Sequence, residues 1–332
     1  MIGKLHRLGL LFCVGMTMVA VTACSAPAER TEQVSESLEA EETEDSEEED
    51  GFVITWNGKT YRYNDHKTNF LFLGVDTEEK EATSKGQADA GQTDALFVLS
   101  LDRVTDELTV ITIPRDTMTE IQFYGPDGSD LGKDIDHISL AYAYGDGDYE
   151  SCKLSAEAVS NLLYQVPIQY YCAMSLGGIG KLTEAVGGLT VTVPNDSLAS
   201  QMLKWTEGTE AELTPENTEL FVRYRDIETS QSALDRTERQ KAFLQAFYKK
   251  LKELSETDNG IWVKLYETMK PYLITNMGND LFLKLEEAVH GNEEIRQWTV
   301  PGNGQQGENF DEYIIDDGKL YEQIIETFYE ET

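Results

Sequence analysis

Three short apolar runs, at 69–75, 95–101 and 107–113, set the tightest limit on what this chain can become. Each is too short for a self-sufficient helix and draws on Val, Ile, Leu and Phe, with large apolar residues at adjacent positions. Strands that are apolar on both faces need cover on both faces, so these runs predict the middle of a buried sheet. Helical periodicity appears at 138–144, 154–164 and 176–186, in a long stretch at 234–254, and at 261–269, 280–289 and 320–329. Shorter strands are expected at 169–174, 189–193 and 297–300, and Thr214-Pro215 reads as a helix start. Strands alternating with helices predict an α/β fold, a three-layer α/β/α sandwich around a mixed central sheet. Asn57-Gly58, between runs at 52–56 and 59–63, predicts an N-terminal β-hairpin.

Only about 280 residues, 51–332, are available for that domain. Lys4 and Arg7 precede an apolar run at 8–20 and the small-residue end Val21-Thr22-Ala23-Cys24, the pattern of a secretory signal. A signal ending at cysteine matches a bacterial lipoprotein signal over 1–24, with Cys24 as the lipidation site; an uncleaved anchor is disfavoured because the run is short for a membrane span. Residues 25–50 hold twelve acids against Arg30 and almost no large apolar side chain. They read as a disordered acidic tether. The first 24 residues contribute +2 and the next 26 contribute −11, so −25 of the chain's −34 falls on residues 51–332. Such a domain is a poor partner for nucleic acid, which needs a basic face. With Cys13 and Cys24 in the signal, Cys152 and Cys172 are either a disulfide or two buried thiols. The four histidines are scattered and form no zinc pattern with them.

Against this acidic background the arginines stand out. Five of the ten are Arg115, Arg223, Arg225, Arg236 and Arg239. Two residues apart on an extended chain, Arg223 and Arg225 face one side. Arg236, Arg239 and Gln240 share a face near the start of the long helix, where the dipole also favours anions. Carboxylates lie at the ends of the central runs: Asp76 after the first, Asp116 after the third, and Asp94 just before the second. Aspartates at strand ends are usually surface turns. Asp94 joins Asp76 only if the glycine-containing loop 77–93 folds back as a lid or the second strand runs antiparallel to the first. Guanidinium forks suit phosphate oxygens, and Mg²⁺ takes one or two carboxylates plus substrate phosphates. The combination reads as a metal–pyrophosphate site in preference to an internal ion-pair network, with Asp94, Asp76 or Asp116 as proton acceptor.

The segments NFLFLGVDT, GQTDALFVLSLD, ITIPRDTMTEI, DHISLAYAYG, YYCAMSLGGIGKLTEAVGGLTVTVP, FVRYRD and LDRTERQKAFLQAF, spread over about 69–250 in this order, resemble the LytR-CpsA-Psr family of cell-envelope glycopolymer transferases. The resemblance implies a pocket for a polyprenyl tail and transfer of a glycan from a polyprenyl-pyrophosphate carrier to a peptidoglycan acceptor, assisted by Mg²⁺ or Mn²⁺. By position, Asp76 and Asp94 match the metal aspartates, and Arg115, Arg223, Arg225, Arg239 and Gln240 the pyrophosphate ligands. Arg236 aligns with the first arginine of the helical motif, as an orienting or binding group. Helices at 138–144, 162–164 and 234–247 are candidates to line the tail pocket. The chain departs at Gln92, where members usually have arginine, and at Asp226, where they usually have histidine. Together these features predict a monomeric lipoprotein on the outer face of the cytoplasmic membrane of a Gram-positive bacterium. A non-catalytic carrier-binding or regulatory lipoprotein, or a pyrophosphate hydrolase, is the alternative. Residues 255–332 carry no readable chemical signature.

Overall fold

The computed structural model describes residues 53–332 apart from 81, 203, 227 and 292–294. The expected signal at 1–24 with Cys24, and the tether at 25–50, lie outside the described residues. Among the described residues no helix is long and apolar enough to cross a membrane.

The strands are β1 (Val53–Trp56), β2 (Lys59–Tyr63), β3 (Lys67–Val75), β4 (Thr93–Asp102), β5 (Leu108–Ile113), β6 (Met118–Tyr124), β7 (Asp130–His137) and β8 (Tyr170–Ser175). They continue with β9 (Leu189–Thr192), β10 (Glu210–Leu213), β11 (Leu273–Thr275), β12 (Arg296–Thr299), β13 (Gly302–Gln306), β14 (Asp311–Ile315) and β15 (Tyr329–Glu331). The helices are α1 (Tyr149–Leu162), α2 (Gly178–Ala185), α3 (Thr218–Arg223), α4 (Ser232–Ser255), α5 (Ile261–Met269), α6 (Asn279–Gly291) and α7 (Asp317–Phe328).

The three apolar runs are β3, β4 and β5, adjacent and antiparallel at the centre of a six-stranded sheet of order β11-β8-β3-β4-β5-β12. β8 runs parallel to β3 and β12 parallel to β5, so the sheet is mixed. Alternation along β3 sends Leu71, Leu73 and Val75 to one face, where they meet Val159 of α1 and Ile324 of α7. Phe70 and Phe72 go to the other, against Leu285 of α6 and Tyr248 of α4. Each fully buried side chain of this kind contributes roughly 1.5–3 kcal/mol. Helices on both faces make the three-layer α/β/α sandwich.

The hairpin forms through Asn57 and Gly58, with φ of 49° and 76°, the left-handed pair that a type I′ turn demands. A third strand is added from the far end of the chain, since β15 pairs antiparallel with β2. Several elements depart from the periodicity. The expected helix at 138–144 is a 3₁₀ turn at Ile138–Leu140 followed by tight turns, and the helix after Thr214-Pro215 begins at Thr218. The β6–β7 and β13–β14 hairpins had no clear alternation to announce them. Cys152 and Cys172 are free thiols in cores on opposite faces of the sheet, and burial pushes the Cys172 thiol up to about 12.

At the end of β4, Asp102 is 4% exposed and bonds the N–H groups of Val104 and Thr105, Asn64 Nδ2 and, at 3.3 Å, Lys67 Nζ. Burial alone raises its pKa; the two backbone N–H bonds and Lys67 outweigh burial and leave it lowered. Its ionised form therefore stabilises the fold at pH values above the unfolded carboxylate pKa of about 3.9, and that contribution is lost as pH falls through the lower folded value. We expect Asp102→Asn to lower stability at pH 7 and to flatten the acid limb of the unfolding profile. An acid limb identical to wild type would show that Asp102 does not govern it.

Candidate active site

The register of β3 against β4 brings the two carboxylates together. Gly74 pairs with Ala95 and Val75 with Thr93, so Asp94 falls in a bulge without a cross-strand partner. Bulges re-aim a side chain out of the ladder. Asp76 follows β3 directly; its Oδ1 accepts the Gln92 N–H at 2.7 Å and its own N–H donates to the Gln92 carbonyl at 3.0 Å. Both aspartates thus stand at one end of the sheet because β4 runs antiparallel. Gly91 makes the approach possible: at φ 86°, an added Cβ would sit 2.6 Å from Thr77 Cγ2 and 3.0 Å from Asp76 Oδ1. The loop expected as a lid is tied down on its far side, by Thr83 N–H to the Asp146 carbonyl, Gly86 N–H to that of Tyr144, and Lys85 stacked 3.7 Å over the Tyr124 ring.

Asp94 is the hub of the site. Its Oδ1 pairs with Arg115 and its Oδ2 with Arg236 Nη1 at 2.8 Å. Arg115 leaves β5 through Pro114 and also donates to Gln92 Oε1 and, at 3.3 Å, to Ser139 Oγ. Its Nε lies 3.2 Å from Asp116 Oδ1. Arg236, on the first turns of α4, has a side chain only 5% exposed. Its Nε and Nη2 are buried without a hydrogen-bond partner among the described residues. Burial lowers its pKa, Asp94 opposes that, and Arg115 and Arg225 add to it. Buried donors normally find partners, so two orphaned N–H groups mark a place for an anionic acceptor.

The remaining predicted residues divide. Arg223 ends α3, so the expected extended Arg-Tyr-Arg segment is half helical. Arg223 binds Glu219 one turn back at 2.9 Å, and Arg225 donates through Nε to Ser232 Oγ at 3.2 Å. Both line an open cup of about 400 Å³ with Tyr224, Arg236 and Asp94. Gln240 Nε2 donates to the carbonyls of Asp94 and Val222, both at 3.2 Å. Arg239 stands apart from the cup. It is 1% exposed, pushed down to about 10 by burial and by Arg236, and its donors are spent on the carbonyls of Phe221 and Tyr224 and on Ser197 Oγ. In this geometry it braces the loop that carries Arg225. The helical repeat put it on the face of Arg236 but could not say that the loop would wrap over it.

Beside the cup runs an apolar tunnel of about 360 Å³, between Phe72 and Phe97 on the sheet and Phe247, Trp262 and Phe282 on α4, α5 and α6. Asp94 and Arg223 border both spaces. Of the helices expected to line a tail pocket, α4 does so. The segments 138–144 and 162–164 do not, because Ile138, Tyr142, Leu162 and Leu163 pack in the core on the opposite face. Residues beyond 255, without a signature in the sequence, supply much of the tunnel wall and also Asp311, 4.0 Å from Arg225. The apolar and aromatic residues Trp262, Tyr266 and Phe282 on α5 and α6 were the available signal.

The metal question turns on Asp76 and Asp94. No group of three or more His, Cys, Asp or Glu among the described residues is arranged to hold an ion. Asp94 lines the cup and Asp76 the adjoining end of the tunnel; a pair so placed fits Mg²⁺ or Mn²⁺ shared with substrate phosphates, and does not fit an all-protein cage.

The sequence profile of the LytR_cpsA_psr family matches residues 27–328. The chain belongs to the LytR_cpsA_psr family. Over 239 residues, 71% of the chain and 69% of the relative, this LytR_cpsA_psr protein is 28% identical to a polyisoprenyl-teichoic acid–peptidoglycan teichoic acid transferase, TagU, of Bacillus mycoides. Among solved structures, TagT bound to LI-WTA superposes with a TM-score of 0.59 at 20% identity, covering 79% of this chain and 89% of that one. TagV of B. subtilis gives 0.58 at 22%, covering 78% and 96%. At these identities the structural likeness establishes the LytR_cpsA_psr fold.

Proposed function

We propose that this protein transfers a glycopolymer from a polyprenyl-pyrophosphate carrier to peptidoglycan outside the cytoplasm, tethered through a lipidated Cys24. The observation that carries the reading is the junction of two unlike spaces, an apolar tunnel and a guanidinium-walled cup, at Asp94 and Arg223. A ligand that fills both has a long hydrocarbon tail and a compact polyanionic head, the chemistry of a prenyl pyrophosphate. The transferase names of the relatives support the same reading.

The chain's own groups account for most of the chemistry. The tunnel desolvates the tail and fixes the head at the cup. Arg236, with Arg225 and Arg223, neutralises charge that grows on the leaving prenyl phosphate, and the buried Arg236, a fixed donor, acts without reorganisation at the moment of reaction. Asp94 holds Arg115 and Arg236 in place, with both its oxygens engaged. That leaves Asp76 or Asp116 to accept the proton of the acceptor hydroxyl. Asp76 and Asp94 would hold Mg²⁺ or Mn²⁺, with the Asp94 oxygens shared between the ion and the guanidiniums of Arg115 and Arg236; when bound it would add positive charge at the phosphates.

The test is incubation of the protein with a lipid-linked glycan, a peptidoglycan oligomer and Mg²⁺. Glycan joined to the oligomer through a phosphodiester, with release of prenyl phosphate and the hydroxyl proton, is expected, and chelation should suppress it. Binding without product would identify a carrier-binding lipoprotein, a reading favoured by the Arg115 donor that Gln92 consumes. Free glycan phosphate as the product would identify a hydrolase.

A further inference from the structure

The β13–β14 hairpin carries a feature that neither the tunnel nor the cup uses. Phe310, in the bend between the two strands, is 74% exposed. A side chain of that size turned to water is ordinarily a flexible loop tip, but this tip is pinned on several sides. The Phe310 carbonyl accepts the Gly307 N–H at 2.9 Å. The next residue, Asp311, accepts Ser230 Oγ at 3.0 Å and Gln231 N–H at 2.7 Å through its carboxylate, and its carbonyl bonds His137 Nε2 at 2.8 Å. His137 in turn is held by Asp136 through Nδ1 at 2.8 Å and meets the Phe310 ring edge to face, with centroids 6.3 Å apart and planes at 87°. The backbone that carries the ring is therefore fixed beforehand, so a ligand that covers the ring spends little on ordering the loop.

Position and charge select the ligand. Asp311 Oδ2 lies 4.0 Å from Arg225 Nη2, so the residue next to Phe310 reaches the wall of the cup. The tunnel joins the cup through Asp94 and Arg223, and none of the hairpin's residues line it. A prenyl tail thus enters from elsewhere, and the hairpin side is left for the second substrate. Glu308 and Asp311 flank the ring along the chain, and Asp136 bonds the His137 that meets it, so its neighbourhood is acidic. Carboxylates repel a phosphate-rich glycopolymer and leave an uncharged or amine-bearing one unopposed. An aromatic face with its negative quadrupole accepts the C–H face of a pyranose.

We propose that Phe310 is an acceptor subsite that stacks a hexosamine ring of an uncharged glycan strand beside the cup. The proposal rests on the transferase reading for its role as acceptor, though sugar binding itself does not. The test is isothermal titration of the full chain with a chitooligosaccharide and, separately, with geranylgeranyl pyrophosphate, for wild type, Phe310→Ala and Phe310→Trp. The alanine variant is expected to lose about three- to tenfold in oligosaccharide affinity, the range that an aromatic contact supplies. The tryptophan variant should retain that affinity, with prenyl-pyrophosphate affinity the same in all three. No oligosaccharide binding by wild type, equal binding by the alanine variant, or loss of prenyl-pyrophosphate affinity in that variant would overturn the proposal. Phe310-dependent sugar binding in a protein that ignores geranylgeranyl pyrophosphate would support the subsite and refute the transferase reading.

Discussion

Arg236→Ala is expected to abolish transfer and to lower stability by about 3 kcal/mol, the low end for removing one member of a buried ion pair. The low end applies because Arg115 still holds the other oxygen of Asp94. Removing Asp94 as well should recover part of the stability and none of the turnover, since the anion's donor is still missing. Arg236→Lys separates the two roles more sharply. A lysine keeps a charge near Asp94, yet it has no planar fork to hold a carboxylate with one nitrogen and offer the others to a phosphate. Stability close to wild type with transfer reduced about 10²- to 10³-fold is the expected result, the size seen when one fixed donor to a developing charge is lost. Denaturant unfolding and the transfer assay, run on all three variants, read the two effects independently. Lysine at 236 with undiminished transfer would remove Arg236 from the anion's coordination.

Ala95→Trp addresses the tunnel. Ala95 lines it next to Asp94, and its cross-strand partner is Gly74, which has no side chain to obstruct a larger neighbour. An indole there occupies space reserved for hydrocarbon close to the mouth. Overpacking a full core costs about 1–3 kcal/mol, whereas filling an apolar cavity adds contacts. The melting temperature is expected to hold or rise while transfer from long-chain carriers falls by about 100-fold or more. The size of that loss follows from the tail's share of binding, at about 0.8 kcal/mol for each buried methylene. Transfer at the wild-type rate in a folded Ala95→Trp protein would show that the tail lies elsewhere.

How far the sequence reached differs between fold and site. The apolar runs at 69–75, 95–101 and 107–113 became β3, β4 and β5 with ends shifted by no more than two residues, because a strand buried on both faces has no other way to satisfy its composition. The Asn57-Gly58 turn was equally local. The 3₁₀ turn at Ile138–Leu140 was misread as a helix since its apolar residues are buried by neighbouring elements and their spacing carried no backbone preference. The motif residues Asp76, Asp94, Arg115 and Arg236 were legible as a set. That Arg239 turns away from them was not, because its burial depends on where the Phe221–Tyr224 backbone passes.

Composition and periodicity alone determined the class of the domain, its acidic surface and the types of group available for chemistry. Those are properties of local pattern, and local pattern is what a linear chain displays. Only the tertiary structure decided that Asp94 leaves the ladder at a bulge beside Asp76, that α5 and α6 complete a tunnel, and that Asp311 comes from far along the chain to within 4.0 Å of Arg225 at the rim of the cup. Each of these is a contact between distant segments, set by strand register and by helix packing against the sheet, and neither is written in the spacing of residues along one segment.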